Sequence, residues 1–190
     1  MRGGTLSPGK RCAWLALALM SAGTARGDQG VDTRSTDHPL IPAVYANPAP
    51  VLDGRLDDSV WAHAPRLDNF YCPDLERLPS ESTLVWLAYD STGLYFAARC
   101  YDRHPDQIRR EETKRGGAIW TDDHVEFELD VEHQHRDEGA YEFAVTARGT
   151  QEEDIPEGSA SKIEWRGDWE ASARLDSLGW TAEVAIPFVI

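Results

Sequence analysis

Ile119-Trp120-Thr121-Asp122-Asp123-His124-Val125-Glu126-Phe127-Glu128-Leu129-Asp130 is the stretch on which the reading of this chain turns. Val125, Phe127 and Leu129 alternate with His124, Glu126, Glu128 and Asp130. A two-residue period sends the apolar set to a core and the polar set to the opposite face, so this is a one-sided strand. Trp120 stands just before it, either as a core residue or as a flat platform beside hydrogen-bonding carboxylates. The platform would suit a sugar ring, whose C–H faces stack on an indole while its hydroxyls donate to acids. The alternation alone leaves both readings of Trp120 open.

Further strand patterns lie on either side. Residues 84–89 and 94–101 are rich in apolar and aromatic side chains and flank Asp90-Ser91-Thr92-Gly93, which predicts a hairpin. Tyr141, Phe143 and Val145 alternate with Glu142, Ala144 and Thr146, and Trp169, Ala171, Ala173 and Leu175 alternate with Glu170, Ser172 and Arg174. A turn through Asp176-Ser177-Leu178-Gly179 leads to Trp180, Ala182, Val184 and Ile186, interleaved with Thr181, Glu183 and Ala185. Short strands with turns between them predict an all-β fold, an antiparallel β-sandwich of jelly-roll-like type. Ahead of them, Asp53-Gly54 predicts a turn, followed by a short helical segment capped by Asp57 that closes Trp61 onto the core. Residues 104–115 read either as a short helix opened by Pro105 or as an extended polar strand. The chain stops at Ile186-Pro187-Phe188-Val189-Ile190, straight after a core-type strand, which is expected of a sandwich lacking its last strands or of the front of a longer protein.

The first 25 residues read as an export signal. Arg2, Lys10 and Arg11 form a positive region, residues 13–20 an apolar run, and Gly23-Thr24-Ala25 a small-residue cleavage site. The run is far shorter than the roughly 20 residues that span a bilayer, and Cys12 precedes it, which fits neither a membrane anchor nor a lipidated cysteine. Residues 26–42, polar and proline-bearing, are expected to be a flexible leader, and residues 43–190 the domain itself. Processing would leave the product exported, in the periplasm, at the outer membrane or outside the cell. It would also remove three basic and no acidic groups, taking the formal charge from -14 to -17 (-14 minus 3). Such a surface repels phosphate backbones and anionic lipid, which argues against nucleic acid and membrane surfaces as partners and leaves neutral ligands and cations. Cys72 and Cys100 would survive into a compartment where disulfides persist; they form either a bridge or two buried thiols.

With these residues laid out, the chain resembles the family 9 carbohydrate-binding module from about residue 43 to 188. Four markers carry the likeness in order: Leu52-Asp53-Gly54-Arg55-Leu56-Asp57-Asp58-Ser59-Val60-Trp61; residues 84–89 followed by Leu94-Tyr95-Phe96; residues 120–130; and Gly179-Trp180-Thr181-Ala182-Glu183-Val184-Ala185-Ile186-Pro187-Phe188. The resemblance implies a secreted, non-catalytic, monomeric module that binds a poly- or oligosaccharide in carbohydrate catabolism and serves an attached or partner glycosidase. It places the stacking tryptophan on Trp120 and a hydroxyl acceptor on Glu126. A basic side chain and an amide of the family fall on Ala144 and Thr146, which removes a charged donor, and Trp165 or Trp169 is a candidate for the second aromatic wall. The arrangement is also similar to the N-terminal module of bacterial envelope proteins in which an outer-membrane barrel follows, which implies an alternative role as a structural or interaction domain without sugar binding.

Competing chemistry has weaker support in the residues. Calcium, a structural ion in the resembled family, has three candidate clusters: Asp53, Asp57 and Asp58; Asp122 and Asp123; Glu152, Glu153 and Asp154. His133 and His135 could share a transition metal in a hairpin loop, and His63, His104 and His124 are the candidate haem ligands once Met1 and Met20 are removed. Glu126, Glu128 and Glu142 are the acids available for glycoside hydrolysis, but carboxylates crowded on an exposed sheet face read more readily as surface charges, and no nucleophile elbow, phosphate loop or Ser/His/Asp arrangement is apparent.

Overall fold

The computed structural model describes residues 42–68, 70, 79–131, 140–154 and 167–189, with the backbone of residues 13–17 and 31–32. The strands in chain order are β1 (Ala13–Leu17), β2 (Val31–Asp32), β3 (Val44–Tyr45), β4 (Arg66–Asp68), β5 (Thr83–Tyr89), β6 (Gly93–Tyr101), β7 (His124–Leu129), β8 (Tyr141–Thr146), β9 (Gln151–Asp154), β10 (Glu170–Asp176) and β11 (Gly179–Pro187). One sheet runs β1-β7-β8-β9; the other runs β10-β11-β6-β5-β4-β2, with β3 also on β5. Their faces pack as the expected β-sandwich. The long strands pair antiparallel, whereas β1, β2 and β3 each join a neighbour in parallel. β1 and β2 fall in the segments read from sequence as signal and leader.

The core is what the alternation dictates. Val125, Phe127 and Leu129 point inward from β7 and meet Phe143 and Val145 of β8, with Leu87, Leu94, Phe96, Ala98, Val184 and Ile186 from the facing sheet. Phe96 and Phe127 join the two sheets, their centroids 4.5 Å apart. Burial of such side chains contributes about 2 kcal/mol each, an upper estimate from area transfer. β6 is buried along almost all its length because both of its faces are covered. On its outer face Tyr95 and Ala97, with Ala88 of β5, form a second cluster under the cover of Ala46, Val60, Trp61 and Ala64.

That cover hangs on Glu183, which is 0 % exposed at the middle of β11. Its carboxylate accepts from the Trp61 indole N–H at 2.8 Å and from the amides of Gly54 at 2.9 Å and Asp53 at 3.2 Å. Burial pushes its carboxyl above the usual range, against the downward pull of Trp61, Gly54 and Asp53. Gly54 has φ +77°, and a Cβ there would lie 3.0 Å from the Ala173 carbonyl carbon, so no other residue fits the turn without strain. The helix α1 (Ser59–His63) follows, with Asp58 and not Asp57 at its N-cap. Asp58 makes no side-chain cap; its carboxylate instead accepts the Val51 amide at 3.2 Å. Residues 104–115 are neither of the expected alternatives: a 3-10 turn at Pro105–Gln107 gives way to irregular backbone held by side chains.

Cys100 is a free, buried thiol in β6, pushed up to about 12 by burial. Its candidate partner Cys72 lies outside the described residues, as do His133, His135 and Trp165. Among the described residues no helix is long and apolar enough to cross a membrane.

Two measurements test these ties. Glu183→Ala leaves two buried donors, the Trp61 indole and the Gly54 amide, and the part-buried Asp53 amide without an acceptor, and should lower unfolding stability by about 3 kcal/mol, read as a shifted denaturant midpoint at unchanged slope; an unchanged midpoint would remove Glu183 from its anchoring role. In the 90–93 turn, Asp90 accepts from the Thr92 hydroxyl and amide, the Tyr95 hydroxyl and the Gly93 amide, which hold its carboxyl at about 2 against an ordinary 3.8. A depressed pKa contributes stability above 3.8 that is lost as pH falls through about 2. Asp90→Asn should lose less stability than the wild type across that window, measured by denaturant melts at stepped pH.

Candidate functional site

The site forms where the irregular loop of residues 109–123 enters β7. The loop is tied down by carboxylates that accept backbone amides. Asp123 accepts the Arg109 amide at 2.8 Å, Asp122 accepts the Glu112 amide at 2.7 Å, and Glu112 accepts the amides of Lys114 at 2.8 Å, Thr113 at 2.9 Å and Ala118 at 3.0 Å. These amides, with that of Lys114 foremost, hold the exposed Glu112 carboxyl below the usual range. Thr150 and Arg148, after β8, donate to the carbonyls of Glu112 and Arg110. The loop ends in a single 3-10 turn, Ile119–Thr121, in which Ile119 is buried as the anchor. Trp120, next to it, is turned outward and is 41 % exposed. Between core and platform, the structure therefore selects the outward position. A perpendicular contact with His124, centroids 5.3 Å apart, braces the indole.

The polar face of β7 is less open than its alternation suggests. Glu126 is only 4 % exposed and sits in register with Ala144, which pairs in turn with Glu152 of β9. Glu128, Glu142 and Asp154 form the next row. Thr146 pairs with His124 but is 0 % exposed, and its hydroxyl oxygen accepts the amides of Thr150 and Arg148 in the turn after β8. Trp120, His124 and Glu126 are thus brought together at one end of the sheet, while Thr146 is committed to the turn beneath. Glu128 and Glu142 stand directly opposite one another on neighbouring strands, two residues along from Glu126.

The alternative constellations are divided by the fold. Strand β9 was not foreseen as a strand, and its alternation splits the Glu152-Glu153-Asp154 run: Glu152 and Asp154 share the outer rows, whereas Glu153 is paired with Phe143 on the core side. Glu153 accepts from Arg115 Nε at 3.0 Å and from the Trp169 indole N–H at 3.1 Å. Trp169, a candidate second wall, is buried against Phe143 with the Arg115 guanidinium over its ring. Asp53 accepts the Arg55 amide, and Asp58, Asp122 and Asp123 are engaged as described. Among the described residues no group of three or more His, Cys, Asp and Glu side chains is placed to hold a metal ion. His63, the last residue of α1, donates from Nδ1 to the carbonyl of Ser59, the first.

Glu112 is the contributor that sequence reading missed, and His124, read there as a polar strand residue and a candidate haem ligand, was not foreseen as the brace of Trp120. The partners of Glu112 lie in irregular backbone, where no period relates an acid to the amide it accepts.

The sequence pattern of the family described as "Carbohydrate family 9 binding domain-like" matches residues 52–190. Two solved structures of a family 9 carbohydrate-binding module from Caldicellulosiruptor kristjanssonii, one in complex with glucose and one with cellotriose, are similar in fold at 17 % identity and a TM-score of 0.56. The glucose complex aligns over 77 % of this chain and 67 % of that one, the cellotriose complex over 76 % and 65 %, so the chain spans about two thirds of their length. No curated protein matches. With its match over most of the chain, this protein belongs to the carbohydrate family 9 binding domain-like family.

Proposed function

We propose that this chain is an exported, non-catalytic carbohydrate-binding module, which holds an oligosaccharide on Trp120 and brings a partner or attached glycosidase to its polymer. The observation that carries the reading is the position of Trp120: a large indole left 41 % exposed at the end of a loop that five carboxylate–amide hydrogen bonds and a buried Ile119 hold in place. An indole on a loop held this firmly is preorganised, and preorganisation raises affinity by sparing the ordering cost on binding. The acidic strand next to it supplies acceptors for hydroxyl protons. Solved relatives of the same fold hold glucose and cellotriose.

A second reading, an N-terminal structural domain of an outer-membrane protein without sugar binding, is favoured by Ala144 and Thr146. Both are buried, and neither supplies the charged donor of the family pattern.

Calorimetry of the full chain with cellotriose, against Trp120→Ala, separates the two. Loss of a stacking platform should weaken binding about 10-fold or more, by analogy with base–aromatic stacking. Equal affinities for wild type and variant would sink the platform, and silence from the wild type would favour the structural domain.

A further inference from the structure

His124 opens β7 on the same side as Glu126, two residues before it, and stands opposite Thr146 of β8. Its ring meets the Trp120 indole at 84°, with the centroids 5.3 Å apart. Its Nδ1 lies 2.9 Å from the carbonyl oxygen of Asp122. A carbonyl oxygen can only accept, so Nδ1 carries the proton. In the neutral imidazole that assignment leaves Nε2 as a lone-pair acceptor. The ring is half-buried, not sealed.

The backbone that sets this tautomer is itself fixed. Asp122 donates its amide to the Ile119 carbonyl at 2.8 Å, and its carboxylate accepts the Glu112 amide. The imidazole is therefore held at one nitrogen by the peptide and at its ring by the platform. That leaves a single oriented acceptor at the border of Trp120.

We propose that His124 Nε2 is a ligand-contacting acceptor of the saccharide site, receiving the proton of a hydroxyl on the sugar unit that stacks on Trp120. The inference rests on the carbohydrate-binding reading of Trp120. It names the recognised chemistry as a neutral, hydroxyl-bearing sugar unit that donates to Nε2. It also accounts for binding at a site where Ala144 replaces a basic donor, because recognition then runs from ligand donors to protein acceptors. His124 has this role only in the register observed: one residue's shift of β7 would turn its ring to the core side.

The test uses the full chain labelled with 15N-histidine and titrated with cellotriose. In the free protein the His124 ring, assigned through its own backbone, should show the Nδ1–H tautomer. At saturation its Nε2 resonance should move while Nδ1 stays in place. By calorimetry His124→Phe, which keeps a planar ring against Trp120 but has no Nε2, should bind cellotriose about 3- to 10-fold more weakly. An Nε2–H tautomer, or an Nε2 resonance unmoved at saturation while Trp120→Ala loses binding, overturns the His124 contact and leaves the platform standing. Failure of the wild type to bind cellotriose overturns both.

Discussion

The layer that covers the central strand from outside depends on one buried carboxylate and the donors gathered around it. Glu183 sits in β11, the strand that joins β10 to β6, and holds the turn at Asp53 and Gly54 together with the indole of Trp61. Burying a carboxylate is costly, and the cost is offset only when its oxygens receive hydrogen bonds. Here the donors come from the first and the acceptor from the last of the four sequence markers, so the family pattern records a single interaction split across 122 residues. Without it, Trp61 and its neighbours lose their orientation over β6, and one face of the central strand is left uncovered.

The same device recurs throughout, and it changes the meaning of the acidic composition. Asp58, Asp90, Asp102, Glu112, Asp122, Asp123 and Asp176 each accept a backbone amide outside regular secondary structure. Asp176 also takes a bidentate pair from Arg99, at 2.6 and 2.9 Å. Acids that look in sequence like ion ligands or a solvated face are in large part the fasteners of turns. The platform is produced this way: a loop without regular backbone hydrogen bonds is fixed by side chains and delivers Trp120 to the surface.

The strands were legible because their signal is local. Alternation in residues 125–129, 141–146 and 179–187 needs no knowledge of the partner strand, and the Asp90 to Gly93 turn carries its own chemistry. The outward placement of Trp120 was not legible from alternation, since the residue precedes the strand; it depended on the buried neighbour Ile119 and on the loop. β9 was missed because Gln151 to Asp154 is wholly polar, and a strand at a sheet edge can be so when its core-side residues find partners such as Arg115 and Trp169. The burial of Glu126 and Thr146 was equally invisible, because cover from outside a strand leaves no mark on its period. Asp57 and Asp58 could not be told apart as caps by type alone, and the selection of Asp58 follows from where the turn at Gly54 delivers the chain.

Among the described residues the tryptophans range from enclosed to open, with Trp86 half-buried between the extremes, and this gives the protein an optical reporter. Trp61, Trp169 and Trp180 are buried, and the first two spend their N–H groups on Glu183 and Glu153. An indole so enclosed emits from a rigid, water-poor setting and is shielded from collisional quenchers. Trp120 has water on one side and an imidazole on the other. An indole in that setting emits to the red of enclosed ones, so events at the candidate site have a signal that light can follow without an attached probe.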